Sequence, residues 1–276
     1  MPKTWFITGA SRGFGREWTI AALERGDSVA ATARDTSTLD DLVVRFRDQV
    51  LPIRLDVNDR DAVFAAVKDA HDRFGALDVV VNNAGYGQFG MIEEVSEAEA
   101  RAQFDTNVFG ALFVTQAALP YLREQGSGHI LQISSIGGIS AYPYVGLYHA
   151  SKWALEGFSQ SLAAEVAGFG IKVTLIEPGA YSTDWADSSA KHATPNPAYD
   201  AVREKAVEQR KARAAHRGDP VATREAVLKV VDAENPPLRI FFGADPLKIA
   251  TREYEKRLAI WRAWEPLSVE AHGPSA

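Results

Sequence analysis

Tyr148 and Lys152 have the residue types and the spacing for acid/base chemistry. If their segment is helical, the two side chains lie on one face of the helix, one turn apart. A phenol has a pKa near ~10, and a neighbouring ammonium favours its ionised form and lowers that pKa. Ser135, thirteen residues before Tyr148, could offer a hydroxyl to the same reacting oxygen. Because such a short motif also occurs by chance on helix surfaces, the surrounding elements must decide its meaning.

A glycine-rich segment, Thr8–Gly15, lies between the first strand-like run and the first helical one. Its glycines at positions 9, 13 and 15 allow a tight turn and a close approach of the backbone to a ligand. The helix that follows would present free N–H groups and its positive dipole end to a pyrophosphate. The spacing is G-x-x-x-G-x-G rather than the general G-x-G-x-x-G, so its position between strand and helix is what favours a dinucleotide site.

The end of the second strand indicates which dinucleotide fits. A carboxylate there would bind the ribose 2′-hydroxyl, whereas an arginine would suit a 2′-phosphate. This strand ends at Ala33-Arg34, and Arg12 of the glycine loop could assist Arg34. We therefore expect NADP(H) to be favoured over NAD(H), the alternative being that both arginines are ordinary solvated surface residues.

Strand-like and helical segments alternate six times before residue 180, without a composition break or an internal repeat. This pattern predicts an α/β protein with a doubly wound parallel sheet of about seven strands and helices on both faces. The predicted strands are residues 4–8, 28–33, 50–55, 77–81, 129–134, 171–177 and 238–242. The predicted helices are residues 16–25, 38–48, 59–74, 96 to about 123 with room for a break, 147–169, 199–215, 221–233 and 245–264.

We expect a single domain over residues 1–264. Within it, residues 181–235 form a substrate loop with two charged helices, and residues 236–264 form the last strand and helix. The segment 181–198 has no clear period and is predicted to be a loop, of the kind that often covers a site. Residues 265–276 are predicted to be a frayed tail.

Bulk properties exclude several classes of function. The net charge of −6 gives no electrostatic reason for nucleic-acid binding. The chain has no cysteine, which excludes disulfides and thiolate metal sites, and its six histidines lack the spacing of metal ligands. We see no signal peptide and no apolar run of membrane-spanning length, and expect a cytoplasmic protein.

Taken together, these motifs resemble those of the classical short-chain dehydrogenases/reductases, over residues 1 to about 183. The matching positions are Thr8–Gly15, Asn82-Asn83-Ala84-Gly85, Asn107, Ser135, Tyr148, Lys152 and Pro178-Gly179. More loosely, the stretch after Asn82 and the C-terminal extension resemble the hydroxysteroid- and retinol-dehydrogenase-like branch. The resemblance implies a Rossmann-type fold with a helical C-terminal extension, a small-molecule carbonyl or alcohol substrate, and a homodimer or homotetramer.

The resemblance also implies a role for each matching residue. Tyr148 would be the general acid/base, Lys152 would hold the nicotinamide ribose, Ser135 would bind the substrate oxygen, and Asn107 would support a water-linked proton path at a helix break. The implied cofactor-binding residues are Thr8, Gly9, Ser11, Arg12, Gly13, Phe14, Gly15, Arg34, Asp56, Val57, Asn83, Ala84, Gly85, Tyr148, Lys152, Pro178, Gly179 and Thr183. Alternatives stay open: Asn82-Asn83 is also a plausible turn, Asp56 a helix cap, and Ser134 competes with Ser135.

Three segments are expected to converge on Tyr148 and form the substrate pocket. Their candidate residues are Tyr86, Phe89, Gly137, Tyr142, Val145, Tyr181 and Trp185. Aromatic side chains there indicate a moderately bulky apolar substrate, unless they are core or lid packing. His149 is expected to point elsewhere and to be structural. We expect an NADP-dependent oxidoreductase, the alternatives being an NADP-binding regulator without turnover and a lyase or epimerase with the same Tyr–Lys pair.

Overall fold

A parallel β-sheet forms the centre of the fold, in a computed structural model that describes residues 2–183, 185, 189–214 and 217–273. The strands are β1 (Thr4–Ile7), β2 (Ser28–Ala33), β3 (Val50–Arg54), β4 (Val79–Asn82), β5 (Gln88–Phe89), β6 (Gly128–Ile133), β7 (Ile171–Pro178), β8 (Lys191–His192) and β9 (Arg239–Phe242). Across the described residues the main sheet has seven strands, ordered β3-β2-β1-β4-β6-β7-β9 and all parallel. The predicted doubly wound sheet is therefore confirmed.

Helices cover both faces of this sheet. They are α1 (Gly13–Arg25), α2 (Asp40–Phe46), α3 (Arg60–Phe74), α4 (Glu97–Phe104), α5 (Gly110–Gln125), α6 (Gly146–Val166), α7 (Asp200–Ala214), α8 (Thr223–Asp232) and α9 (Pro246–His272). One core layer packs side chains of α1, α2 and α8 against the sheet, and the other packs α3, α5 and α6. Because both faces are covered, the inner strands are buried almost throughout, as all four residues of β4 are.

The order of the strands reverses at the β1–β4 neighbours, because the chain runs outward to β2 and β3 and then returns. The loops that leave β1 and β4 at their carboxyl ends therefore diverge and open a crevice, which is where ligands bind in such sheets. The glycine-rich segment follows β1, and Asn83 follows β4.

The predicted long helix after Ser96 is broken. The Ser96–Glu99 capping box is present, and α4 is followed by a π-helical turn at Asp105–Phe109 before α5 begins. Asn107 lies inside this turn and is buried. A π-turn places one extra residue in a helix, and such turns are frequent at functional sites. The break therefore supports Asn107 as a candidate functional residue.

Two predictions for the C-terminal third were wrong. The segment 181–198 is not entirely loop, because β8 pairs in parallel with β5; a two-residue strand leaves no periodicity in the sequence. The last helix does not fray at residue 265 but continues through Pro266 to His272. Its final turns are exposed, including Trp261 and Trp264, so no burial pattern marks them as helical. Among the described residues, no helix is long and apolar enough to cross a membrane.

Candidate active site

Tyr148 and Lys152 lie on the first two turns of α6 and are both buried. The Lys152 Nζ donates to the carbonyl oxygen of Ile133 at 2.6 Å and lies 5.8 Å from the centre of the phenol ring. Ser135 follows β6, where its Oγ accepts a hydrogen bond from the backbone N–H of Gly137 and its side chain hydrogen-bonds to Tyr148. Ser134 also borders the site, but its Oγ lies against Gly138. The structure thus brings the three predicted residues together.

Burial shifts the pKa values of Tyr148 and Lys152 in opposite directions. It raises the pKa of Tyr148 to about 12, and the hydrogen bond with Ser135 lowers that pKa only in part. Burial also lowers the pKa of Lys152 to about 8, an effect that the negative charge of Glu156 opposes. The expected lowering of the phenol pKa is therefore wrong for the protein as it stands, since desolvation disfavours the phenolate. At neutral pH the phenol carries its proton.

Asn107 connects two segments around the site. Its Nδ2 donates to the carbonyl oxygen of Tyr86 at 3.0 Å and to Ser151 Oγ at 3.1 Å, and its Oδ1 accepts from the N–H of Tyr86 at 3.1 Å. Ser151 in turn donates to the carbonyl oxygen of Tyr148. Asn107 therefore fixes the chain after β4 to α6 beside the acid/base group.

The glycine loop is held in place by polar contacts from the end of β4. Asn83 Nδ2 donates to the carbonyl oxygens of Thr8 and Gly9, and Thr8 Oγ1 accepts from the N–H groups of Asn83 and Ala84. Gly9 has a φ of +66°, a conformation that favours glycine. A Cβ on Gly15 would collide with the carbonyl oxygen of Gly9, so the loop and the start of α1 are in direct backbone contact.

A cavity of about 620 Å³ runs from this loop to Tyr148 and Lys152. Of the predicted site residues, Ser11, Arg12, Gly13, Phe14, Arg34, Asp56, Val57, Gly85, Pro178, Gly179 and Thr183 line it, together with those already placed at its two ends, Gly9, Asn83, Ala84, Ser135, Tyr148 and Lys152. Thr8, Gly15 and Asn107 do not line it and instead support residues that do. Most of the residues predicted from motifs thus line one continuous cavity.

The loop end of the cavity fits a dinucleotide. The N-cap residue of α1, Arg12, provides no side-chain cap, and the first turn of α1 has no acidic residue, so the positive helix end is available to a phosphate. Arg34 lines the cavity at the end of β2, whereas the next residue, Asp35, directs its carboxylate to Ser37. These two hydrogen bonds lower the pKa of Asp35 and hold its carboxylate against Ser37 in the local turn.

The other end of the cavity is aromatic. The predicted residues Tyr86, Phe89, Gly137, Tyr142, Val145, Tyr181 and Trp185 all line the cavity, and all but Tyr181 are assigned to this end. The Trp185 ring centre lies 4.7 Å from that of Tyr148 and 5.4 Å from that of Phe89. Tyr181 is different, because its ring packs against Phe14 of the glycine loop. It therefore stands on the nucleotide side of the cavity.

Sequence reasoning missed four residues in the aromatic wall. Tyr144 has a φ of 77°, which is unusual for a non-glycine residue, and its hydroxyl lies 3.4 Å from His192 Nδ1. Lys191 and Arg210 stand over the rings of Tyr86 and Phe89, at 4.6 and 4.3 Å from the ring centres. His149 lines the cavity, contrary to the expectation that it points elsewhere. Of these four residues, only His149 could have been found from the sequence, because it directly follows Tyr148.

Known proteins provide an independent comparison. Residues 3–194 match the short chain dehydrogenase family model. The oxidoreductase BOA17 of Botryotinia fuckeliana (strain B05.10) is 44% identical over 271 residues, which is 98% of this chain and 99% of the relative. A crystal structure of a short-chain dehydrogenase from Streptomyces avermitilis has a TM-score of 0.90 at 40% identity, with 98% of each chain covered.

A third relative was solved with a nucleotide. The alcohol dehydrogenase from the archaeon Thermococcus sibiricus, complexed with 5-hydroxy-NADP, has a TM-score of 0.74 at 28% identity, covering 88% of this chain and 97% of that one. More distant solved relatives hold NADP or NAD. The fold and the site define a nicotinamide-dinucleotide-dependent oxidoreductase. The chain belongs to the short-chain dehydrogenase/reductase family.

Proposed function

We propose that the protein interconverts a carbonyl compound and a secondary alcohol with NADP(H), on a moderately bulky apolar substrate. One observation carries the proposal: the hydrogen-bonded Tyr148 and Ser135, with Lys152 beside them, share a single cavity with the glycine loop. A carbonyl oxygen that meets the two hydroxyls would place its carbon towards the nucleotide end.

The residues divide the chemistry among them. The nicotinamide of the bound dinucleotide supplies or accepts the hydride. In reduction, the carbonyl oxygen becomes negative as the carbon–hydrogen bond forms, and it takes the phenol proton of Tyr148; oxidation reverses both transfers. Ser135 donates a hydrogen bond to the same oxygen and stabilises the developing charge. Lys152 would hold the nicotinamide ribose, and its ammonium would stabilise the Tyr148 phenolate left after proton transfer.

Arg34 supports a preference for NADP(H). A 2′-phosphate at the end of β2 would meet the guanidinium groups of Arg34 and Arg12, both of which line the cavity. The carboxylate that follows Arg34, that of Asp35, accepts two hydrogen bonds from Ser37, and Asp35 does not line the cavity.

The aromatic wall supports an apolar substrate. Trp185, Phe89 and Tyr86 line the cavity near Tyr148, and their rings provide a large apolar contact area for a substrate. Substrates with an aryl or alkyl group next to the carbonyl should therefore bind better than small polar ketones.

A panel of ketones and aldehydes, followed by NADPH absorbance, tests the proposal. Tyr148→Phe should lower kcat by at least about 100-fold, because it removes the only proton that the phenol can transfer. The dissociation constant for NADPH should change little. A Tyr148→Phe protein with retained turnover would refute the role of Tyr148, and binding of NADPH without turnover of any carbonyl would instead indicate a regulator.

A further inference from the structure

His149 is a buried histidine next to Tyr148, and the proposed reaction gives it no role. Only 5% of the residue is exposed, and it lines the cavity beside Tyr148. Its ring centre lies 5.7 Å from that of Tyr148 and 5.6 Å from that of Tyr142. A group attached close to a carbonyl bound at Tyr148 and directed towards α6 could therefore reach this ring.

The Nε2 atom of His149 has no hydrogen-bond partner among the described residues, and Nδ1 contacts only the backbone of Gly137. A buried polar atom without a partner carries a free-energy cost, so such an atom in a cavity wall indicates a ligand group that satisfies it. The ring is neutral at physiological pH, because burial lowers the pKa of His149 to about 4. A neutral imidazole offers one donor and one acceptor.

The surroundings decide which nitrogen can accept. A Cβ on Gly137 would lie 2.5 Å from His149 Nδ1, so that nitrogen packs directly against the Gly137 backbone. The backbone of Gly137 interacts favourably with the protonated ring, although burial outweighs this in the pKa. A hydrogen on Nδ1 is thus favoured, and Nε2 is left as the acceptor.

We propose that His149 Nε2 binds a neutral hydrogen-bond donor of the substrate, a hydroxyl or an amide N–H, carried close to the reacting carbonyl. The substrate class is then an apolar hydroxy ketone or its amide counterpart, rather than a simple ketone. A neutral donor fits better than an ammonium, because Lys191 and Arg210 line the same cavity. This inference rests on the proposed carbonyl chemistry and specifies its substrate.

The proposal is tested with matched ketones. Acetophenone and propiophenone are compared with derivatives that carry a hydroxyl on the α or β carbon, and with the corresponding methyl ethers, which keep the electronic effect of the oxygen but cannot donate. The wild type should prefer at least one hydroxy ketone over its ether by about 10–100-fold in kcat/KM. The preference should disappear in His149→Phe and survive in part in His149→Gln, whose amide oxygen can still accept.

A control variant and a separate binding measurement make the result specific. His129 is an equally buried histidine, outside the cavity lining and bonded to Thr174, so His129→Gln should leave the preference unchanged. Binding of the same compounds is measured by tryptophan fluorescence, since Trp185 borders the site.

The outcomes separate the two proposals. A wild type without hydroxyl preference in both turnover and binding, or a preference that survives in His149→Phe, would overturn the role of His149. Absence of any turnover, with hydroxy-ketone binding that still depends on His149, would overturn the proposed reaction instead.

Discussion

The two ends of the cavity are built by different means. At the nucleotide end, backbone atoms make the critical contacts: Gly15 touches the carbonyl of Gly9, and Asn83 bonds main-chain oxygens of the loop. At the carbonyl end, side chains make the contacts, and they come from segments far apart in the chain, such as β5, β8 and α7. We expect the first end to be rigid, because backbone contacts fix it, and the second end to adjust by movement of its aromatic rings.

The difference suits what each end must bind. A dinucleotide is the same molecule in every turnover, so a loop fixed by backbone contacts loses nothing by being rigid. A substrate wall made of Trp185, Phe89 and Tyr86 can adjust to the shape of its ligand, because ring packing is adaptable in a way that backbone contact is not.

The largest effect is expected at the nucleotide end, from Gly15→Ala. The added Cβ would collide with the carbonyl oxygen of Gly9 and lie 2.5 Å from Asn83 Nδ2, so the loop must move away from α1. We expect the dissociation constant for NADPH to rise by about 100-fold or more, with a loss of stability of about 1–3 kcal/mol. Fluorescence titration and thermal unfolding measure the two effects.

Gly157→Ala is the matched control for Gly15→Ala. Gly157 also lies in a helix, α6, but a Cβ there would meet no atom of the described residues within 4 Å outside its own helix backbone. It should leave NADPH binding unchanged and raise stability by up to about 1 kcal/mol, since alanine is the better helix former. Equal effects of the two variants would show that the rigid backbone contact at Gly15 has no special importance.

This contrast also explains what the sequence could predict. The parallel sheet with helices on both faces and the nucleotide end follow from apolar runs, glycines and helix starts that are local in the chain. Arg34 could be placed because the end of β2 has a known position relative to the glycine loop. Asn107 could be placed through its family motif, although the π-turn that holds it has no sequence signature of its own.

The carbonyl end was less predictable because its wall depends on tertiary packing. The β5–β8 pairing joins residues about a hundred positions apart and brings Lys191 to Tyr86. The left-handed backbone of Tyr144 is imposed by its surroundings, since no glycine marks it. The pKa of Tyr148 was misjudged for the same reason, because the charge of Lys152 is visible in sequence and burial is not.

An intermediate effect is expected from Arg34→Ala, which removes a side chain rather than displacing the loop. Loss of one charged contact to a 2′-phosphate should raise the dissociation constant for NADPH by about 10–100-fold and that for NADH by less than about 2-fold. Arg45→Ala provides the control, because Arg45 is exposed, pairs with Glu24 and does not line the cavity. Equal weakening of NADPH and NADH by Arg34→Ala would contradict the 2′-phosphate contact.

The smallest effect is expected from Gly87→Ala at the carbonyl end. A Cβ on Gly87 would lie 2.6 Å from Trp185 Cζ2, a collision as close as that between the Gly15 Cβ and Asn83. The atom it meets belongs to the Trp185 side chain, which we expect to turn away, so the fold should tolerate the change. We expect KM for an aryl ketone to change by about 2–5-fold, and the dissociation constant for NADPH to stay constant.

The double variant Gly87→Ala/Trp185→Ala decides whether this explanation is right. Removing the indole removes the collision, so the methyl group at position 87 should then have no further effect on KM beyond that of Trp185→Ala alone. If Gly87→Ala instead weakens NADPH binding as Gly15→Ala does, the carbonyl end is as rigid as the nucleotide end. The explanation that the aromatic wall adjusts by moving side chains would then be wrong, because both ends would depend on backbone that cannot move.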